Sequence, residues 1–178
     1  MQSETDGRAV MESLISAGKL EWANWLIARM LDHTDRIRYA VFAAEQVLDI
    51  FEKQYPGDKR PRLAIEAARM VIKNDVPKTR AAAKDAGESA EAAWAAAGAA
   101  GAAGAAWAAR NAAWTAGESA EAAAGAAGAA AWAAWATRVA VPSWATGAAA
   151  RATKAARATE VPVEIKIIRY GISLLEGK

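Results

Sequence analysis

Apolar residues recur at helical spacing from near the start of the chain. Val10, Leu14 and Ala17 share one face of a helix that Asp6 can cap and Gly18 can stop. A second helix is predicted from Lys19 to Leu31, with Trp22, Trp25, Leu26 and Met30 on its apolar side. The clearest amphipathic pattern begins at Thr34 or Asp35. There Ile37, Val41, Ala44, Leu48, Phe51 and Tyr55 follow 3–4 spacing, and the pattern predicts one helix ended by Pro56 and Gly57. Asp58 can cap a fourth helix whose first turn holds Pro61. Its buried contacts would be Leu63, Ile65, Ala68 and Val71 or Ile72, and Asn74 to Pro77 would close it.

From Thr79 to Thr159 alanine replaces this contrast between apolar and polar positions. The octapeptide AGESAEAA occurs twice, at 86–93 and 116–123. Each copy reads as a helix junction, with Gly87 or Gly117 ending one helix and Ser89 or Ser119 capping the next. Helices are thus predicted over 89–115 and 119–140, antiparallel because their link is short. Gly98, Gly101, Gly104, Gly125 and Gly128 each cost about 1 kcal/mol relative to Ala inside a helix. The compensating gain would be close backbone approach, of the kind small residues permit in membrane bundles. Trp94, Trp107, Trp114, Trp132 and Trp135 would fill the remaining gaps. Pro142 sets off a helix from Ser143 to Thr159, and Pro162 precedes a last one bearing Ile165, Ile168, Ile172 and Leu175. Breaks are expected near 18, 33, 57, 76, 88, 118, 142 and 161.

The expected fold is all-α: a multi-helix bundle, or an α-solenoid-like packing of long Ala-rich antiparallel helices. One domain would span 1–178, with amphipathic helices over 1–77, Ala- and Trp-rich helices over 78–160 and a C-terminal helix over 161–178. The Ala-rich composition reinforces this reading, because Ala is the strongest helix former. Ala buries little area, so the eight Trp must supply much of the apolar stabilisation.

Charge and chemistry narrow the function classes. The net charge is +2, which gives no general attraction to a nucleic-acid polymer or an anionic membrane. From Ala92 to Ala109 there is no charge, but also no Leu, Ile, Val or Phe, so a buried Ala-rich helix is expected and not a membrane span. The polar opening MQSETDGRAVMES does not read as a signal peptide. Cysteine is absent, which excludes disulfides and thiolate catalysis and suits a cytoplasmic protein. His33 is the only histidine, and the flanking Asp32 and Asp35 serve equally well at a helix start. No phosphate-binding or dinucleotide motif is present. A binding protein without cofactor or metal is therefore expected, not an enzyme.

The stretch DRIRYAVFAAEQVLDIFEKQYPGDKRPRLAIEAARMVIKND, at 35–75, resembles the bacterial and phage immunity-protein family, above all in the run from Asp58 to Arg69. The resemblance implies a cytoplasmic protein that neutralises a toxin by binding it. Asp58, Arg60, Arg62, Glu66 and Arg69 are then candidate partner-binding residues. The same residues also have a purely helical reading. Arg62 with Glu66, and Glu66 with Arg69, would form intrahelical ion pairs worth a few tenths of a kcal/mol, about 0.2–0.5 each. The alternative function is a phage-type anti-defence inhibitor that sequesters a host defence protein or a nucleotide signal. Its anionic-ligand candidates are Trp144, Arg151, Lys154 and Arg157, an indole beside a spiralling basic strip. A near-neutral net charge argues against a strongly basic nuclease as the toxin. Homo-oligomerisation is left open.

Overall fold

The computed structural model describes residues 7–98, 100–117, 122–139 and 162–177. Among them are nine helices: α1 (Gly7–Ser16), α2 (Leu20–Met30), α3 (His33–Glu45), α4 (Leu48–Gln54), α5 (Arg60–Lys73), α6 (Pro77–Ala96), α7 (Ala100–Gly117), α8 (Ala122–Val139) and α9 (Val163–Glu176).

Local chemistry accounts for most of the boundaries. α1 stops at Gly18, whose φ of 69° is the left-handed conformation that Gly takes without steric cost. Its N–H donates to Ile15 O at 2.9 Å and that of Lys19 to Leu14 O at 2.8 Å, the paired bonds of a Schellman cap. Asp32 caps α3 by accepting from the Asp35 N–H at 2.9 Å. Pro61 and Pro77 occupy first turns, where a missing N–H is harmless.

α6, α7 and α8 lie side by side and antiparallel in chain order. Gly117 at the end of α7 sits against Arg80 and Lys84 near the start of α6, and Gly104 sits against Trp135 near the end of α8. α5 packs on α6 and α7, α3 on α7 and α8, and α2 on α8; α9 closes over α2, α3 and α8. The result is a multi-helix bundle with α7 at its centre. Ala102, Ala105, Ala106, Ala108, Ala109, Ala112, Ala113 and Ala116 are all buried there, so α7 is apolar nearly all round because neighbours surround it. Larger core residues, including Met11, Ile27, Ile37, Tyr39, Phe51 and Ile167, cluster in the other helices. Among the described residues no helix is long and apolar enough to cross a membrane.

Four expectations are corrected. The single helix predicted from residue 35 to 55 is two, because the chain tightens at Gln46 and Val47: the Val47 N–H donates to Ala44 O, three residues back. The bend lays α4 on α7. The apolar side of α2 is turned, with Ala23, Ile27 and Ala28 buried, Leu26 partly buried against the core, and Trp22, Trp25 and Met30 exposed. α8 approaches α2 closely enough that Asn24 Nδ2 reaches Ala127 O at 3.0 Å, and that spacing suits methyl groups better than indoles. Leu63, placed among the buried contacts of α5, is instead 54% exposed. Finally, Gly87 does not end a helix. α6 runs through the first AGESAEAA copy, and the break falls at Ala97 and Gly98. Gly87 is buried against α7, where an added methyl would stand 3.5 Å from Arg110 O. In the second copy Gly117 is the last described residue of α7, and residues 118–121 lie outside the described residues. Pro142 and the helix expected over 143–159 lie outside the described residues.

Candidate partner-binding surface

The run from Asp58 to Arg69 forms the turn before α5 and most of that helix. Asp58 accepts from the Arg60 backbone N–H at 3.1 Å and binds its guanidinium at 2.6 Å and 2.9 Å. The Arg60 guanidinium holds the Asp58 carboxyl below its ordinary range. Arg62 does not pair with Glu66. It forks onto Glu52 of α4, with Nε to Oε1 at 2.7 Å and Nη2 to Oε2 at 2.5 Å. Lys59 Nζ adds a contact to Glu52 at 3.5 Å. The hydrogen bond from Arg62 keeps the Glu52 carboxyl below the usual carboxylate range, helped by the Lys59 charge. Arg69 pairs with Glu45 of α3 and not with Glu66. The intrahelical pairs expected from sequence are thus replaced by pairs to neighbouring helices. Glu52 and Glu45 are the more sheltered carboxylates, and Glu52 takes the Arg62 fork on both its oxygens. Glu66 remains on the exposed face.

These ion pairs leave a specific surface. Leu63 and Met70 stand two helical turns apart on the same side of α5. They are 54% and 50% exposed, with Glu66 and Ala67 between them. Arg62 and Arg69 flank this strip, each anchored by its partner carboxylate. An apolar centre inside a charged, pre-oriented rim is the anatomy of a protein-binding face. The sequence did carry the signal: residues 63 and 70 fall off the helical stripe marked by Ala64, Ile65, Ala68 and Val71, all of which are buried.

A second exposed group lies on α2. Trp22 is 66% exposed and Trp25 48%, and the Arg29 guanidinium lies 4.6 Å from the Trp25 ring centre. Four other indoles pack against one another, although Trp94 at the end of the row is exposed. Trp94, Trp107, Trp132 and Trp135 form a chain with successive ring centres 4.7, 5.8 and 5.2 Å apart. Arg110 lies 3.5 Å from the Trp114 ring centre and 4.8 Å from that of Trp107, with its Nε 3.2 Å from Glu91. Burial pushes the Arg110 pKa down, against the opposing pull of Glu91.

His33 begins α3 with both ring nitrogens buried and without a hydrogen bond among the described residues. Among the described residues no cluster of three His, Asp or Glu side chains is arranged to hold a metal ion. Trp144, Arg151, Lys154 and Arg157, the anionic-ligand candidates, lie outside the described residues.

No protein-family model matches the chain. Comparison with curated proteins finds no similar sequence, and comparison with solved structures finds no match.

Proposed function

We propose that the chain is a non-enzymatic binding protein of the immunity type, which neutralises a partner toxin by covering it with the exposed face of α5. The observation that carries this reading is the Leu63–Met70 strip with its anchored arginines. Large exposed apolar residues supply contact area, while Arg62, held in fork geometry by Glu52, and Arg69, paired with Glu45, lose little freedom on binding. The strip lies within the stretch 35–75 whose sequence resembles the immunity-protein family. Under this reading the protein acts in the cytoplasm, without turnover or cofactor, and blocks its target by occlusion.

The test uses the products of the genes beside this one, each purified and titrated calorimetrically into the full chain. One of them should bind with submicromolar affinity. Leu63→Asp with Met70→Asp should abolish that binding while leaving the circular dichroism and melting temperature unchanged, since both residues are exposed. Binding that survives the double substitution places the interface elsewhere. Failure of every neighbouring product to bind removes the immunity reading.

A further inference from the structure

Beside Trp22, helices α2, α8 and α9 leave a cleft of about 360 Å³. That volume lies at the low end of the range small-molecule sites occupy. The cleft exists because α8 offers only methyl groups, at Ala130, Ala131 and Ala134, where larger side chains would have filled the space. Leu20, Trp22, Ile167 and Ile168 complete an apolar wall. Its floor is polar and ordered. The Tyr39 O–H donates to Asn24 Oδ1 at 3.0 Å, and Asn24 Nδ2 donates to Ala127 O at 3.0 Å. A side-chain amide carries two N–H groups, so one remains on Asn24, which lines the cleft. The rim carries Lys19, Glu21 and Glu164, charges of both signs and so no strong field of either.

We propose that this cleft binds a small neutral organic molecule: a single ring lying between Trp22 and the Ala face of α8, with one hydrogen-bond acceptor at its buried end. The ring matches the apolar wall, the acceptor matches the remaining Asn24 N–H, and the mixed rim favours neither an anion nor a cation. This site is separate from the face of α5 and does not depend on the immunity reading.

Two probes of similar shape test it, acetophenone with a carbonyl acceptor and ethylbenzene without one. Each is titrated calorimetrically, at up to millimolar concentration, into the full chain. Acetophenone should bind, and about tenfold more tightly than ethylbenzene, the ratio that one net hydrogen bond supplies. Ala131→Phe should abolish binding of both by occupying the cleft from its exposed edge. Ala131→Leu serves as the second plug if the Phe variant fails to fold. Absence of binding by both probes overturns the proposal. Equal affinity for the two overturns the role of Asn24, and undiminished binding in a folded plug variant shows that the probes bind elsewhere.

Discussion

Gly104 and Trp135 fit together because one of them lacks a side chain. A methyl group added at Gly104 would stand 2.6 Å from Trp135 Cε3 and 2.9 Å from the Ala136 methyl. Both neighbours belong to α8, so the missing Cβ sets how closely α7 and α8 approach.

Gly104→Ala should therefore destabilise the fold even though Ala is the better helix former. Overpacking costs about 1–3 kcal/mol, and the propensity gain returns at most about 1. Gly98 is the control. It lies at the break between α6 and α7, and the nearest atom to an added methyl is Tyr55 Oη at 3.7 Å. Gly98→Ala should stay within about 0.5 kcal/mol of the parent. Urea unfolding of the two variants checks this, and a Gly104→Ala protein as stable as the parent would show that the α7–α8 contact is loose.

The same glycines show where sequence patterning reaches its limit. The ends of α1, α4 and α5 carry distinct chemistry, at Gly18, Pro56 with Gly57, and Asn74 through Pro77, so they were legible. Between residues 79 and 139, 40 of the 61 positions are Ala or Gly, and the apolar stripe that marks a buried face vanishes. The glycines of the two identical octapeptides are then placed differently. Gly87 sits mid-helix against α7, and Gly117 ends α7 against α6, an added methyl there standing 3.2 Å from Arg80 O. Both serve the α6–α7 contact. The bend at Gln46 and Val47 contains neither Gly nor Pro, so nothing local announces it. On α2, apolar size is a poor guide to burial: indoles offer the most apolar area, but close packing on α8 admits Ala23 and Ala28. On the α5 surface the charged residues were legible, but their pairing was not. Glu45 and Glu52 reach Arg69 and Arg62 only once α3 and α4 are placed.

Arg110 is a second point where packing carries a charge. Its side chain is 14% exposed and stacks on Trp114 and Trp107, while its partner Glu91 is 45% exposed. Arg110→Ala should cost about 2 kcal/mol through lost stacking and lost stem packing, with Glu91 left in water. Arg110→Lys should recover only part, because an ammonium lacks the flat face that lies along an indole. Arg29→Ala, which removes a cation from the exposed Trp25 ring, should cost about 0.5 kcal/mol. Thermal unfolding of the three variants ranks them; equal losses at positions 29 and 110 would refute the burial argument.

Acid should weaken the α5 surface in a way that can be assigned. Glu52, Asp58 and Asp75 have carboxyls held below their ordinary values by hydrogen bonds from Arg62, Arg60 and Arg80 respectively. A lowered folded-state value means the unfolded chain takes up protons first. The stability these groups contribute is present above the unfolded carboxylate range, near pH 4, and is lost as pH falls through their lowered values. Glu52→Gln should be less stable than the parent at neutral pH and should lose less as pH is lowered from about 4. The gap at neutral pH should shrink in high salt, because both basic partners are about half exposed. Urea midpoints across the acid range measure it, and parallel acid limbs in parent and variant would remove Glu52 from the account.

Tyr39 governs the opposite end of the pH scale. Its ring is fully buried, and burial raises the phenol well above its ordinary value near 10. The folded state keeps that proton while the unfolded chain releases it from about pH 10 upward. Stability is therefore complete below that pH and is lost progressively as pH rises toward the raised value. Tyr170 is shifted the same way by partial burial, so part of the alkaline loss is expected to persist without Tyr39. Tyr39→Phe removes the titrating group and also the donor to Asn24 Oδ1. At neutral pH the variant should be less stable by about 1 kcal/mol, the net worth of one hydrogen bond. Above about pH 10 its stability should fall less steeply than that of the parent, so the two curves converge. Urea unfolding at closely spaced alkaline pH values, with tyrosinate absorbance followed in parallel, distinguishes the outcomes. Curves that stay parallel would mean that Tyr39 ionises as freely in the folded chain as in the unfolded one, and that the ordered floor beneath the α2–α8–α9 cleft is open to solvent.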